Sequence, residues 1–345
     1  MKTAFLILFS ILTLISCRNQ NDDTVIRGQM PNLARDKAGI LHLVYGNSDS
    51  ILYSYSSDKG KSFSSPLVVS VLPDLAASHM RGPQIAVTSN GLLITACTNM
   101  GNIFSFTKDE AGKWLQAGRV NDADTAAREN LMSLAADDNN AFAVWLDLRN
   151  GHNRIYGAKS TDGGKSWSRN ILVYTSPDTT VCECCKPSVA IKGANIYVMF
   201  RNWLNGNRDL YLIQSSDGGN SFGQAQKLGT GSWALNGCPM DGGGLAINKN
   251  GSAETVWNRK GTIYACEPGK EEKKLGEGRS CTMEPVNGKN VYAWVENGNV
   301  VVLKPQGRKE NLGKGQLPIL KAADNEHVLC VFENNKQIHK TVLKL

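Results

Sequence analysis

Three octets of this chain repeat one pattern: SSDKGKSF (Ser56 to Phe63), STDGGKSW (Ser160 to Trp167) and SSDGGNSF (Ser215 to Phe222). Each reads S-x-D-x-G-x-x-aromatic, and a stretched fourth version, TKDEAGKW (Thr107 to Trp114), falls between the first two. The physical content of the pattern is local. The carboxylates of Asp58, Asp109, Asp162 and Asp217 can accept bonds from N–H groups of their own turn, glycine supplies the positive φ the turn needs, and the aromatic packs back between strands. A staple recurring about every fifty residues requires a chain built from similar supersecondary units.

Aligning outward from the octets gives a unit of four short strands. The first two read, for example, NLMSLAADDNNAFAVW, KPSVAIKGANIYVMF and TMEPVNGKNVYAWV. Alternating apolar residues, short Gly/Asn turns and no helical period make the chain all-β, a β-propeller of four-stranded blades. Seven units can be counted; six blades is the alternative, because units five to seven carry no octet. The last unit, ending NNKQIHKTVLKL, lacks a fourth strand, and DTVIRG near the N-terminus can supply it. That pairing would close the ring and remove its exposed sheet edges.

The octets resemble the Asp box of the sialidase (neuraminidase) superfamily, also known as the BNR repeat. The resemblance covers most of the chain at the level of fold and implies recognition or hydrolysis of an anionic, sialic-acid-type glycan. Sialidases hold the substrate carboxylate with an Arg trio, whose planar forks match its two oxygens. An Asp and a Glu-activated Tyr do their chemistry. MRGPQIAV resembles the family's R-I-P motif, with Gly82 in place of Ile, and makes Arg81 a carboxylate-binding candidate. Arg149 and Arg201, each just beyond a second strand, are the other two. Asp147, Glu129, Asp241 and Glu284 are the candidate acid/base carboxylates.

The repeat also sorts the loops. Octet turns lie on one face, whereas the loops between strands two and three and the entries to each blade lie on the other, where propeller sites gather. The entries include SHMRGP, ARENLM, CECCKP, NGCPMDGGG and RSCTMEP. Cys182, Cys184, Cys185, Cys238 and Cys281 therefore fall on the loop face, while Cys97, Cys266 and Cys330 fall in apolar strand patterns and read as buried small hydrophobes. Two readings of the five stay open. One is disulfides, such as Cys182, Cys184 or Cys185 to Cys238, tying adjacent blades. The other is a soft-metal or redox site in which thiolates join Met80, Met240, Met283 and His79 to favour Cu(I). No cofactor is otherwise expected.

The N-terminus, MKTAFLILFSILTLISC, has one cation and an apolar run too short to span a bilayer, so residues 1–17 read as a secretory signal. Its end resembles a bacterial lipobox, which makes Cys17 the lipidation site, residues 18–23 a polar tether and residues 24–345 a single propeller domain. The expected location is periplasmic or cell-surface, held to a membrane by lipid. The formal net charge of +7 becomes +6 without Lys2, a modest surplus suited to an acidic glycan. No aromatic-interleaved basic cluster points to nucleic acid. Hydrolase (an exo-sialidase-like glycosidase), non-catalytic binding module and sulfur-lined metal or redox site are the three function classes that the sequence leaves standing.

Overall fold

The computed structural model describes residues 26–345; the signal, Cys17 and the tether lie outside the described residues. The chain forms seven four-stranded antiparallel sheets. Their first strands, Gln29–Arg35, Gln84–Thr88, Met132–Asp137, Ser188–Lys192, Gly243–Ile247, Arg279–Val286 and Gln316–Ala322, neighbour one another around the axis. This is a seven-bladed propeller. The N-terminal segment supplies the fourth strand that the last unit lacks: Ile26–Arg27 pairs with Gln337–Lys344, placing Ile26 opposite Ile338 and closing the ring.

Tight turns between strands are written directly in the sequence. Asn287-Gly288 and Asn297-Gly298 join paired strands as two-residue turns with φ of 48°, 76°, 49° and 77°, the geometry that matches strand twist. Second strands carry the bulk of the core: Trp145, Trp257 and Trp294 are fully buried there. Packing of each blade on the next removes this apolar surface from water and is the main driving force for closure.

The three octets form the same turn between strands three and four. Ser56, Ser160 and Ser215 each donate to the carboxylate two residues on at 2.7 Å. The same hydroxyls accept from the N–H of Gly60, Gly164 and Gly219 at 2.8, 2.8 and 2.9 Å. Asp58, Asp162 and Asp217 in turn accept the N–H of Ser62, Ser166 and Ser221 at 2.9, 3.0 and 3.0 Å. The turn also docks onto the preceding blade. Trp167 Nε1 donates to Ser105 Oγ at 3.0 Å, and the Phe222 and Phe142 ring centres lie 5.7 Å apart. The stretched variant keeps only the short Asp109 turn, whose carboxylate accepts from Lys113 N at 2.8 Å.

Candidate functional site: an axial funnel and a thiol cluster on the loop face

The first strands all begin on the face opposite the octet turns. Their starts enclose a cavity of about 110 Å³ lined by Lys186, Asp241, Cys281, Ser133 and Ser188. Met80, Ser280 and Leu317 are shared with a wider depression of about 440 Å³ bearing His79, Met240, Arg279, Lys314 and Glu333. Together they make a funnel. Lys186 leaves the entry of blade 4, and its ammonium donates to Gln84 Oε1 of blade 2 at 3.0 Å. Burial pushes this lysine down to about 8. Asp241, 2% exposed, accepts the Ser280 N–H on both oxygens at 3.2 Å. Burial drives its carboxyl up to about 6, against the pull of Arg201.

Beside the funnel stands the cysteine turn. The Cys182 N–H donates to Arg201 O at 3.0 Å, anchoring the turn to the end of the blade 4 second strand, Asn195–Arg201. Residues 182–185 then fold back, so that Cys182 Sγ lies 3.4 Å from Cys185 Sγ and 3.7 Å from Cys184 Sγ. Cys184 is bonded to Cys238, tying the entry of blade 4 to that of blade 5. The Arg208 guanidinium donates to Cys182 Sγ at 3.0 Å and to Glu183 Oε2 at 3.1 Å while lying 3.9 Å above the Trp203 ring. The hydrogen bond with Cys185, aided by Arg208, holds the Cys182 thiol below its ordinary value despite burial. Burial pushes Cys185 and Cys281 the other way.

The sulfurs of Cys182, Cys184 and Cys185 lie within 4.8 Å of one another. As a soft-metal site the arrangement is a poor match. Cys184 is committed to a disulfide, and the two remaining thiols share their surroundings with the cations Arg201 and Arg208. This set suits a stabilised thiolate better than a second cation. The potential metal partners are dispersed: Met283 is buried in the blade 6 core, whereas Met240 is 45% exposed on the funnel rim.

The three arginines do not converge as a sialidase trio requires. Arg149 makes a two-pronged ion pair with Asp147 at 2.9 Å, reaches Asp122 at 2.9 Å and stacks 4.2 Å from Tyr156. Asp147 also accepts from Trp145 Nε1 at 2.8 Å, so both residues belong to the packing between blades 2 and 3. Arg201 is 1% exposed and donates to the carbonyls of Arg208 and Asn258 at 2.8 and 2.9 Å. Arg81 donates to Glu129 O and His79 O at 2.8 and 3.1 Å. Glu129 is raised by burial, with Arg81 opposing. Glu284 sits mid-strand, accepting from Lys321 Nζ and the Ala322 N–H at 3.0 and 3.1 Å, and joins blades 6 and 7. Of the carboxylate candidates, Asp241 alone lines the axial cavity.

Sequence reasoning passed over Lys186, Arg208, Arg279 and Lys314. Lys186 and Arg208 were legible as residues of a blade entry and a facing loop. Residues Cys182 and Cys185 also have C-x-x-C spacing, hidden inside the denser C-x-C-C run.

No family model and no curated protein matches this chain. Solved structures do. An ulvan lyase, from a new polysaccharide lyase family, is 10% identical over 92% of this chain and 94% of its own, with a TM-score of 0.54. The α-L-arabinofuranosidase Arb93A of Fusarium graminearum is 12% identical over 92% and 93%, with a TM-score of 0.53. The lectin SapL1, solved with alpha methyl fucoside, is 13% identical over 86% and 98%, with a TM-score of 0.53. At these identities the likeness is one of fold.

Proposed function

We propose that this chain is a non-hydrolysing glycan-binding propeller that takes an acidic, sialic-acid-type sugar into the axial funnel. The observation that carries the reading is the placement of cations along that funnel, with Arg279 and Lys314 around the depression and Lys186 in the cavity below. A carboxylated sugar can ion-pair at the rim while its hydroxyls reach Lys186 in the cavity below, where the Ser133 and Ser188 hydroxyls, which donate to Pro187 O and Gly243 O, can still accept. The similar solved structures that act on or hold glycans support the choice of ligand class.

Hydrolysis is the second reading, favoured by Asp241, whose raised carboxyl suits a general acid. Glycosidases work with a carboxylate pair or, in sialidases, a tyrosine. Among the described residues lining the axial cavity, Asp241 is the one carboxyl and there is no tyrosine; Glu333, in the depression above, is engaged by the Met30 N–H at 3.1 Å. Binding without turnover is therefore the conclusion. The test is to present the soluble domain with an acidic-glycan panel and with fluorogenic sialosides. Retention of acidic glycans without release of fluorophore is expected; turnover that disappears in Asp241→Asn would instead establish the enzyme.

The proposal extends to location: the domain hangs outside the cytoplasm from a lipid on Cys17. Incorporation of labelled palmitate, lost in Cys17→Ser, is expected; labelling unchanged by the substitution would refute the anchor.

A further inference from the structure

Four sulfurs occupy the junction of blades 4 and 5, and they differ in access. Cys238 is exposed, Cys184 is partly buried, and Cys182 and Cys185 are buried behind them, at 0% and 2% exposure. The bonded pair is the outer one. The inner pair is a reduced C-x-x-C, with sulfurs 3.4 Å apart and no other residue between them in the hydrogen-bond network. Cys182 Sγ is also 3.7 Å from Cys184 Sγ, about van der Waals contact with one end of the existing disulfide. Its other neighbour is the Arg208 guanidinium, 3.0 Å away, which favours the thiolate that thiol–disulfide exchange needs.

We propose that these cysteines form an intramolecular disulfide relay, which moves the bond inward from Cys184–Cys238 to Cys182–Cys185 and releases the Cys238 segment from blade 4. In the first step the Cys182 thiolate attacks Cys184 Sγ. A Cys182–Cys184 bond forms, the Cys184–Cys238 bond breaks, and the electron pair leaves on Cys238, which takes a proton from solvent. In the second step Cys185, giving up its proton, attacks Cys182 Sγ. A Cys182–Cys185 bond forms and Cys184 leaves as the thiolate that accepts that proton. One disulfide and two free thiols enter and leave the sequence, so no external oxidant or reductant is needed.

The consequence lies at the funnel. Cys238 and Met240 belong to the same segment, and Met240 lines the depression above the axial cavity. With the outer bond in place this segment is tethered to the entry of blade 4; with the inner bond in place it is held only by its own contacts. The relay would thus make the tether beside the funnel mouth depend on which sulfurs are joined. The inference stands on sulfur positions and does not rest on the glycan reading.

The experiment traps the outer thiols. Folded, full-length protein is incubated with iodoacetamide at mildly alkaline pH with no added thiol, then digested without reduction and mapped by mass spectrometry. The expected result is alkylated Cys238 in molecules that carry a Cys182–Cys185 bond. In Cys182→Ser the Cys184–Cys238 bond should persist and Cys238 labelling should be lost, whereas Cys185→Ser should stop at a Cys182–Cys184 bond. The relay is overturned if the wild type retains only Cys184–Cys238 over a time that fully labels a reduced, denatured control. It is equally overturned if Cys182→Ser releases Cys238 at the wild-type rate. The wild-type bond map decides the question even if a variant fails to fold.

Discussion

Adjacent glycines in one octet offer a direct test of what the repeated turn does. Gly218 and Gly219 both have positive φ, 72° and 83°, so alanine at either costs about 1 kcal/mol in backbone strain. A Cβ on Gly218 would meet nothing within 4 Å, and the equivalent position of the first octet is Lys59, with φ of 66°. A Cβ on Gly219 would stand 2.8 Å from Phe142 Cε2 of the preceding blade. Phe142 is fully buried, so the ring has little room to yield, and overpacking of this kind adds roughly 1–3 kcal/mol. Gly218→Ala should therefore lose about 1 kcal/mol and Gly219→Ala roughly 2–4 kcal/mol. Urea unfolding followed by tryptophan fluorescence reads the difference as a shift in midpoint at constant slope. Equal losses at the two positions would refute the claim that the octet glycine is fixed by docking onto the neighbouring blade.

Asp241 should give the fold a pH signature. A carboxyl raised from 3.8 to about 6 binds its proton more tightly in the folded state, so its contribution to stability is present at low pH and falls as pH rises through that window. The fall is roughly 3 kcal/mol at most, and urea midpoints between pH 4 and 7 should lose that part of their slope in Asp241→Asn. Arg149→Ala leaves the fully buried Asp147 carboxylate without its cation; a loss of about 3 kcal/mol in stability is expected, with glycan affinity unchanged by calorimetry. Removing residues 1–28 deletes the strand that pairs with Gln337–Lys344 and bares a sheet edge. Size-exclusion chromatography should then show more self-association than the undeleted chain shows at the same concentration.

The fold was legible because propeller blades repeat their punctuation. Three octets set the period, Asn-Gly turns marked the hairpins, and the missing last strand pointed to the N-terminal segment that fills it. Blades 5 to 7 lacked the octet, yet strand alternation still identified them, since packing between neighbouring blades demands the same apolar pattern with or without the staple. The site was harder. Register places a residue on a face but does not say what its side chain meets. Arg149 follows a second strand and Arg201 ends one, as carboxylate binders should. One is engaged by Asp147, two residues before it, in a two-pronged pair, and the other is consumed by carbonyls of Arg208 and Asn258, which the fold brings to it. The cysteine run was conspicuous, but which sulfurs bond depends on Cys238, 54 residues further along the chain. Lys186 escaped notice for the same reason: its partner, Gln84, belongs to a different blade.

The glycan reading is tested most directly by calorimetric titration of sialyllactose and of neutral lactose into the wild-type domain and into the Lys186→Met, Arg279→Ala double variant. Each lost charge-assisted contact is worth about 1.5–3 kcal/mol, so the double variant should bind the acidic sugar at least about tenfold more weakly. The wild type should discriminate strongly against lactose. Equal affinity for the two sugars, or sialyllactose binding untouched by the double substitution, would contradict an acidic-glycan site in the axial funnel.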